Sequence, residues 1–195
     1  MSAIGQHAAT ESAYEWARNS GVALFIFLIC VSTFASADDL DQKQAKKERC
    51  ATAVFSAETA ASAEDWISAE KFSKAAIQLC SEVDEHPYQL ADHYAGLAEA
   101  QIGLERYQDA LNTSEQCIDT FYATPNCHYD KMQALLGLKR MAEAKEAGRI
   151  TAAVCNALLK GNAEDQPRKD QDSLNVLKQR QREAQLVLRR LAEPK

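Results

Sequence analysis

From residue 39 to residue 161, apolar and small side chains recur at spacings of three and four, the period of helices with one buried face. Residues 39–61 contain no Gly or Pro, and Cys50, Ala53, Val54, Ala57, Ala60 and Ala61 share a less polar side, which predicts a first helix. Ser62 followed three residues later by Asp65 suggests a helix cap. A second helix is predicted over 64–85, ended at His86-Pro87 because the residue before proline is pushed out of helical geometry. The next pair spans 90–102 and 107–121 around the turn Gly103-Leu104-Glu105-Arg106. Thr124-Pro125-Asn126 separates it from a third pair, 127–138 and 141–160, which Gly161-Asn162 closes.

The two ends differ from this middle. Residues 22–31 form an apolar run, Val-Ala-Leu-Phe-Ile-Phe-Leu-Ile-Cys-Val, and Ala35-Ser36-Ala37 follows. That order fits a secretory signal peptide cleaved after Ala37, and the run is short of the roughly 20 residues a membrane span needs. The segment before it, with Arg18 set against Glu11 and Glu15, is long for a signal peptide, so retention as an uncleaved membrane tether is the alternative. At the other end, residues 162–172 read as a polar linker with Pro167. Residues 173–195 then carry Leu174, Leu177, Gln181, Ala184, Leu188 and Leu191 along one seam, which predicts a terminal helix. Such a helix covers the open end of a helical stack, or pairs with a second copy as a dimerising coil.

The middle region repeats. Trp66, Ala69, Ser73, Ala76 and Ile77 match Tyr107, Ala110, Ser114, Cys117 and Ile118 at an offset of 41 residues. Tyr107 and Ala110 are matched 34 residues later by Met141 and Ala144. An insertion of seven residues around 82–88 reconciles the two offsets. With Tyr94, Leu97, Ala98, Tyr107, Ala110 and Ile118 in the central unit, the pattern resembles the tetratricopeptide repeat (TPR) family, whose unit is a helix–turn–helix of about 34 residues. The resemblance spans about residues 50–155 and implies an all-α fold of about three repeats over 38–161, closed by the C-terminal helix. In the third repeat His128 and Lys131 stand where bulky apolar residues belong, and a shift of one residue would put Tyr129 and Met132 there instead.

The repeat frame gives the cysteines a meaning. There are six, none in a CxxC pattern, so zinc ribbons and thioredoxin-type motifs lack support. Numbered by the repeat, Cys50 and Cys127 begin an A helix, while Cys80 and Cys155 fall at position 31 near the end of a B helix. The two ends of an antiparallel hairpin meet, so the frame predicts Cys50–Cys80 and Cys127–Cys155, with Cys117 left as a small buried residue. The competing connectivity pairs Cys117 with Cys127 across one inter-repeat turn and frees Cys155. The sequence leaves both open.

Charge and chemistry narrow the function. A net charge of −6 argues against nucleic acid as a partner. There is no Gly-rich phosphate loop and no nucleophile–base set, so the chain reads as non-enzymatic, with no cofactor. His86 and His93 lie seven apart beside Asp84, Glu85 and Asp92, but a metal site needs three or four converging ligands, so no metal is assigned. The resemblance implies a binding surface on the inner face of the A helices. Carried over, its contact positions are Asp92, Ala95 and Glu99 in the central repeat, and Asn126, Tyr129 and Gln133 in the third. Ala95 and Glu99 replace the basic and amide pair that some family members use to grip a carboxylate tail, so the acids Asp92 and Glu99 suit a basic or polar peptide. The expectation is a secreted or periplasmic protein–protein interaction module. A membrane-tethered assembly factor and a small-ligand or metal-binding accessory protein are the alternatives.

Overall fold

The computed structural model describes residues 40–83, 86–161 and 171–192, with the backbone alone at 171 and 172. The signal peptide expected over 1–37 and most of the linker expected from 162 lie outside the described residues. The chain divides into two compact units, residues 1–45 and 46–195, and all contacts described are within the second. Among the described residues there are seven helices and no strand. They are α1 (40–62), α2 (Trp66–Ser81), α3 (Pro87–Gly103), α4 (Tyr107–Thr120), α5 (Pro125–Gly137), α6 (Met141–Lys160) and α7 (Gln171–Arg190). From α2 to α7 each helix packs on the next, and α3 also lies against α5. That pattern makes an array of hairpins α1–α2, α3–α4 and α5–α6, with the A helices α3 and α5 side by side.

The repeat is visible in the backbone. Trp66, Tyr107 and Met141 are the first residues of α2, α4 and α6, so the offsets of 41 and 34 hold. The hairpin turns share one geometry. Glu64, Glu105 and Lys139 all sit in the left-handed region, at φ 56°, 59° and 59°. The next amide in each case reaches back five residues, Asp65 N to Ala60 O at 2.9 Å, Arg106 N to Gln101 O at 2.8 Å and Arg140 N to Leu135 O at 2.9 Å. This is the six-to-one bond of a Schellman ending, which satisfies carbonyls that the finished helix would otherwise leave bare. A non-glycine residue in that conformation costs roughly 1–2 kcal/mol, so packing must hold the turns.

That packing is a lock between ring and glycine. The ring opening one repeat's B helix lies against the glycine ending the next repeat's A helix. A Cβ on Gly103 would fall 2.6 Å from Trp66 Cγ, and one on Gly137 would fall 2.5 Å from Tyr107 Cε1. Only a bare α-carbon lets the helices approach this closely. A polar brace accompanies the lock at the central turn, where Arg106 donates to Glu70 on α2 at 2.7 Å and to Asp109 at 2.6 Å.

Several boundaries differ from those the sequence predicts. α2 stops at Ser81 rather than 85, and Pro87 opens α3 instead of ending the helix before it. A proline at the first helical position loses no hydrogen bond, since that N–H has no intrahelical acceptor. His86 caps the helix, its Nδ1 accepting from Tyr88 N at 3.2 Å while its own N–H donates to Gln89 Oε1 at 3.2 Å. Ser62 remains inside α1, and the cap of α2 is Asp65, which accepts from Ser68 N at 3.2 Å. The third repeat keeps the 34-residue register without a shift. His128 takes the place of Tyr94 and is buried there, its Nε2–H donating to the Tyr122 carbonyl at 2.7 Å. Lys131, on a more open face, pairs with Glu115 at 2.8 Å.

The largest apolar cluster joins α4, α5, α6 and α7 around Leu111, Met132, Leu135, Ala144, Ala147 and Ala184. The seam of α7 faces it. Leu177 and Ala184 are buried and Leu174, Gln181, Leu188 and Leu191 are half-buried, so the terminal helix covers the end of the array. The face on which a dimeric coil would rest is thus occupied within the chain. Gly148 makes this docking close, since a Cβ there would meet Met132 Sδ at 3.1 Å and Leu188 at 3.5 Å.

Candidate binding groove

A hollow of about 770 Å³ opens between α1 and α3, with α2 as its floor. Small residues create it: Ala51, Ala57 and Ala61 on α1, Ser73 and Ala76 on α2, and Gly96 on α3. Its apolar wall is Val54, Val83 and Phe55, and Phe55 is 70% exposed. Asp92, His93 and Glu99 face them from α3, with Lys47 and Glu58 at the rim of α1. The hollow is therefore amphipathic, apolar on one side and mostly acidic on the other.

Asp92 and Glu99, expected as contact residues, both line this groove. They differ in environment. Glu99 is exposed, whereas burial pushes the Asp92 carboxyl above its ordinary range, against a hydrogen bond from Tyr88 that pulls it down. Ala95 is buried within α3, and the other three expected residues are elsewhere. Tyr129 is half-buried under α7, with the Arg180 guanidinium 4.1 Å from its ring centre, and it accepts from Gln133 Nε2 at 2.7 Å. Burial, and then a hydrogen bond to Glu183, push the Tyr129 phenol up to about 12. Asn126 is half-buried in the first turn of α5, outside the hollow. So the terminal helix lays Arg180 over the inner face of the third repeat, and the open groove belongs to the first two. Sequence reasoning missed this because nothing in residues 173–195 says which face of α5 that helix crosses.

Arg180 also faces Asp130, a buried carboxyl on α5 with Glu99 as its like-charged neighbour. Burial holds the Asp130 pKa well above 3.8, Arg180 opposes that, and Glu99 adds to it. The sign follows. Between the unfolded and the folded pKa the native state keeps a proton that the unfolded state loses, so stability from this group falls as pH rises through that window. Asp130→Asn is therefore expected to be at least as stable as wild type at pH 7, with its advantage vanishing toward pH 4. Denaturant melts at several pH values check this. An Asn variant less stable than wild type at pH 7 would mean an ion pair with Arg180 outweighs burial.

The cysteines require a correction. Cys50 and Cys80 are bridged as expected, with Cα atoms 5.0 Å apart. Cys127, however, pairs with Cys117 across the α4–α5 turn, and Cys155 is a free buried thiol that burial pushes up to about 11. The reason lies in helix register. Cys80 and Cys155 stand equally far into their B helices, but Cys50 lies 16 residues before Trp66 whereas Cys127 lies 14 before Met141. Two residues turn a helical side chain by about 200°, which directs Cys127 toward α4 and away from α6.

The histidines separate too. His86 is taken up as the cap of α3 and packs edge-on against Phe121. His93 instead lines the α3 wall of the groove, a ring nitrogen within 4.8 Å of both Cys50 Sγ and Cys80 Sγ.

No protein-family model matches the sequence, and no curated protein does. Solved structures do match. A TPR-like protein from Chlorobium tepidum superposes with a TM-score of 0.60 at 18% identity, over 77% of this chain and 99% of that one. The chain has the tetratricopeptide-repeat fold. Two other TPR structures agree with it. The TPR2B domain of yeast Sti1, in complex with pHsp70, gives a TM-score of 0.53 at 17% identity, over 71% of this chain and 98% of that one. The TPR domain of Arabidopsis OM64 gives 0.50 at 18%, with the same coverage. At these identities the likeness speaks to architecture, so what the TPR array of this chain binds must be argued from its own groove.

Proposed function

We propose that this chain is a non-catalytic interaction module, and that the groove between α1 and α3 holds an extended or helical segment of a partner protein. The observation that carries the reading is the groove's composition. An exposed Phe55 and Val54 face Asp92 and Glu99 across a channel floored by small residues, an arrangement suited to a peptide with apolar anchors and one or two basic side chains. The solved Sti1 domain, held in complex with pHsp70, is an example of the same fold engaging a partner.

A panel of labelled amphipathic peptides with lysine or with glutamate between the apolar anchors tests this by fluorescence anisotropy. Basic peptides are expected to bind better, and Glu99→Lys to weaken them by about fivefold, the effect of roughly 1 kcal/mol at a rim charge. Equal binding of acidic and basic peptides, or none, would remove the groove reading.

We further propose that the protein works outside the cytoplasm. Two disulfides among the described residues support this, as does the apolar run over 22–31 followed by Ala35-Ser36-Ala37. No helix among the described residues is long and apolar enough to cross a membrane. N-terminal sequencing of the protein purified from its native host is expected to begin at Asp38. A chain still starting near Met1 would favour the tethered alternative.

A further inference from the structure

Three residues from three helices converge at the groove, Cys50 and His93 lining it and Cys80 fully buried beside them. Cys50 comes from α1, Cys80 from the end of α2 and His93 from α3, and their donor atoms all lie within 4.8 Å of one another. Both sulfurs are buried, and the imidazole is half-buried at the wall of an open groove. Two thiolates and one imidazole form a donor set that selects zinc among the common divalent ions. We propose that in the reduced protein Cys50, Cys80 and His93 bind one zinc ion, so that the first repeat is stapled by a disulfide when oxidised and by a metal when reduced.

The geometry needs little movement. Two sulfurs on a tetrahedral zinc, each about 2.3 Å from the metal, stand about 3.8 Å apart. Rotation of the two cysteine side chains, whose Cα atoms are 5.0 Å apart, is the movement that would open the sulfurs to that separation. The groove provides an entry path and room for water as the fourth ligand.

The chemistry balances in two steps. A dithiol reductant attacks the Cys50–Cys80 bond, giving two protein thiols while the reductant becomes a disulfide. Zinc then displaces one proton from each thiol and takes the lone pair of neutral His93, releasing two protons in all. The disulfide ties α1 to α2 only, whereas the metal ties α3 as well. The site thus holds the groove's three walls together when the covalent link is gone. This inference stands apart from peptide binding, since it rests on Cys50, Cys80 and His93 and not on Phe55 or Glu99.

The test uses the full chain, prepared anaerobically in oxidised and phosphine-reduced forms, with zinc titrated against a chromophoric chelator and cobalt used as a spectroscopic probe. Reduced wild type is expected to take up one equivalent and to show thiolate-to-cobalt charge transfer, while the oxidised protein does neither. His93→Gln should weaken uptake at least about tenfold. It keeps both cysteines, so its oxidised form and its circular dichroism report whether it folds. Cys50→Ser should abolish the charge-transfer band, and if that variant fails to fold, His93→Gln decides alone. Reduced protein that takes up no zinc would overturn the proposal. So would equal affinity in His93→Gln, which would show that His93 is not a ligand.

Discussion

Replacing both Cys50 and Cys80 by alanine is expected to lower the oxidised protein's unfolding free energy by about 3–4 kcal/mol, the entropy of closing a loop of about 31 residues in the unfolded chain. The bridge matters more than this figure suggests, because the side chains that α1 buries are small. They are Cys50, Ala53 and Ala60; the first two pack with Ala76, Cys80 and a fringe of valine, leucine and alanine, and Ala60 packs with Ala69, Ala100 and the half-buried Trp66 and Phe72. The ion pair from Lys46 to Glu82, at 3.5 Å between half-exposed side chains, contributes little. Loss of the bridge should therefore appear first as local opening. Hydrogen exchange is expected to speed up across 46–62 while α4 to α7 keep their protection, as a stacked array allows. The shorter Cys117–Cys127 loop should be worth less, about 2.8 kcal/mol by the same relation. A Cys50/Cys80 variant within about 1 kcal/mol of wild type would mean that α1 is held by packing and not by the bridge.

The second large effect belongs to the ring-and-glycine lock. Gly103→Ala is expected to destabilise the array by about 1–3 kcal/mol, although alanine gains roughly 0.5–1 kcal/mol over glycine in a helix. The added methyl would meet the Trp66 indole at 2.6 Å, and a wide, wedged ring has no short rotation that clears it. Gly161→Ala is the control, because nothing lies within 4 Å of that position and its φ is −68°. It should be neutral or slightly stabilising. Combining Gly103→Ala with Trp66→Leu should recover part of the loss, since the smaller side chain vacates the space. Gly103→Ala with unchanged stability would show that the repeats are not locked at this contact.

The parts of the fold visible in the sequence are those that depend on local periodicity. Trp66 and Tyr107 mark the B helices because each must be bulky to reach the neighbouring glycine, and Met141 opens the last B helix at the same repeat position, so their spacing records the repeat directly. His86-Pro87 misled because proline both ends and begins helices, and only the cap formed with Tyr88 and Gln89 reveals which. The lining of the groove was legible in part. Asp92 and Glu99 lie in the groove because the inner face of α3 is set by repeat position. Tyr129 and Gln133 hold equivalent positions on α5, yet α7 lays Arg180 over that face, and a tertiary docking of this kind leaves no trace in the spacing of either segment. The Cys127 pairing was available in principle. The distances 16 and 14 back from the bulky residue already place Cys50 and Cys127 on opposite sides of their helices. The approach of His93 to the bridge was not, since it joins three elements of the first two repeats.

The account turns on the groove of the first two repeats being the surface that meets a partner. The most direct measurement is an amide chemical-shift titration of the full chain with the best basic amphipathic peptide from the panel, repeated on Glu99→Lys. The account predicts shifts confined to residues 47–61, 73–83 and 89–99, saturating with the anisotropy curve and reduced in the variant. Shifts centred on α6 and α7, with residues 47–99 unmoved, would contradict it.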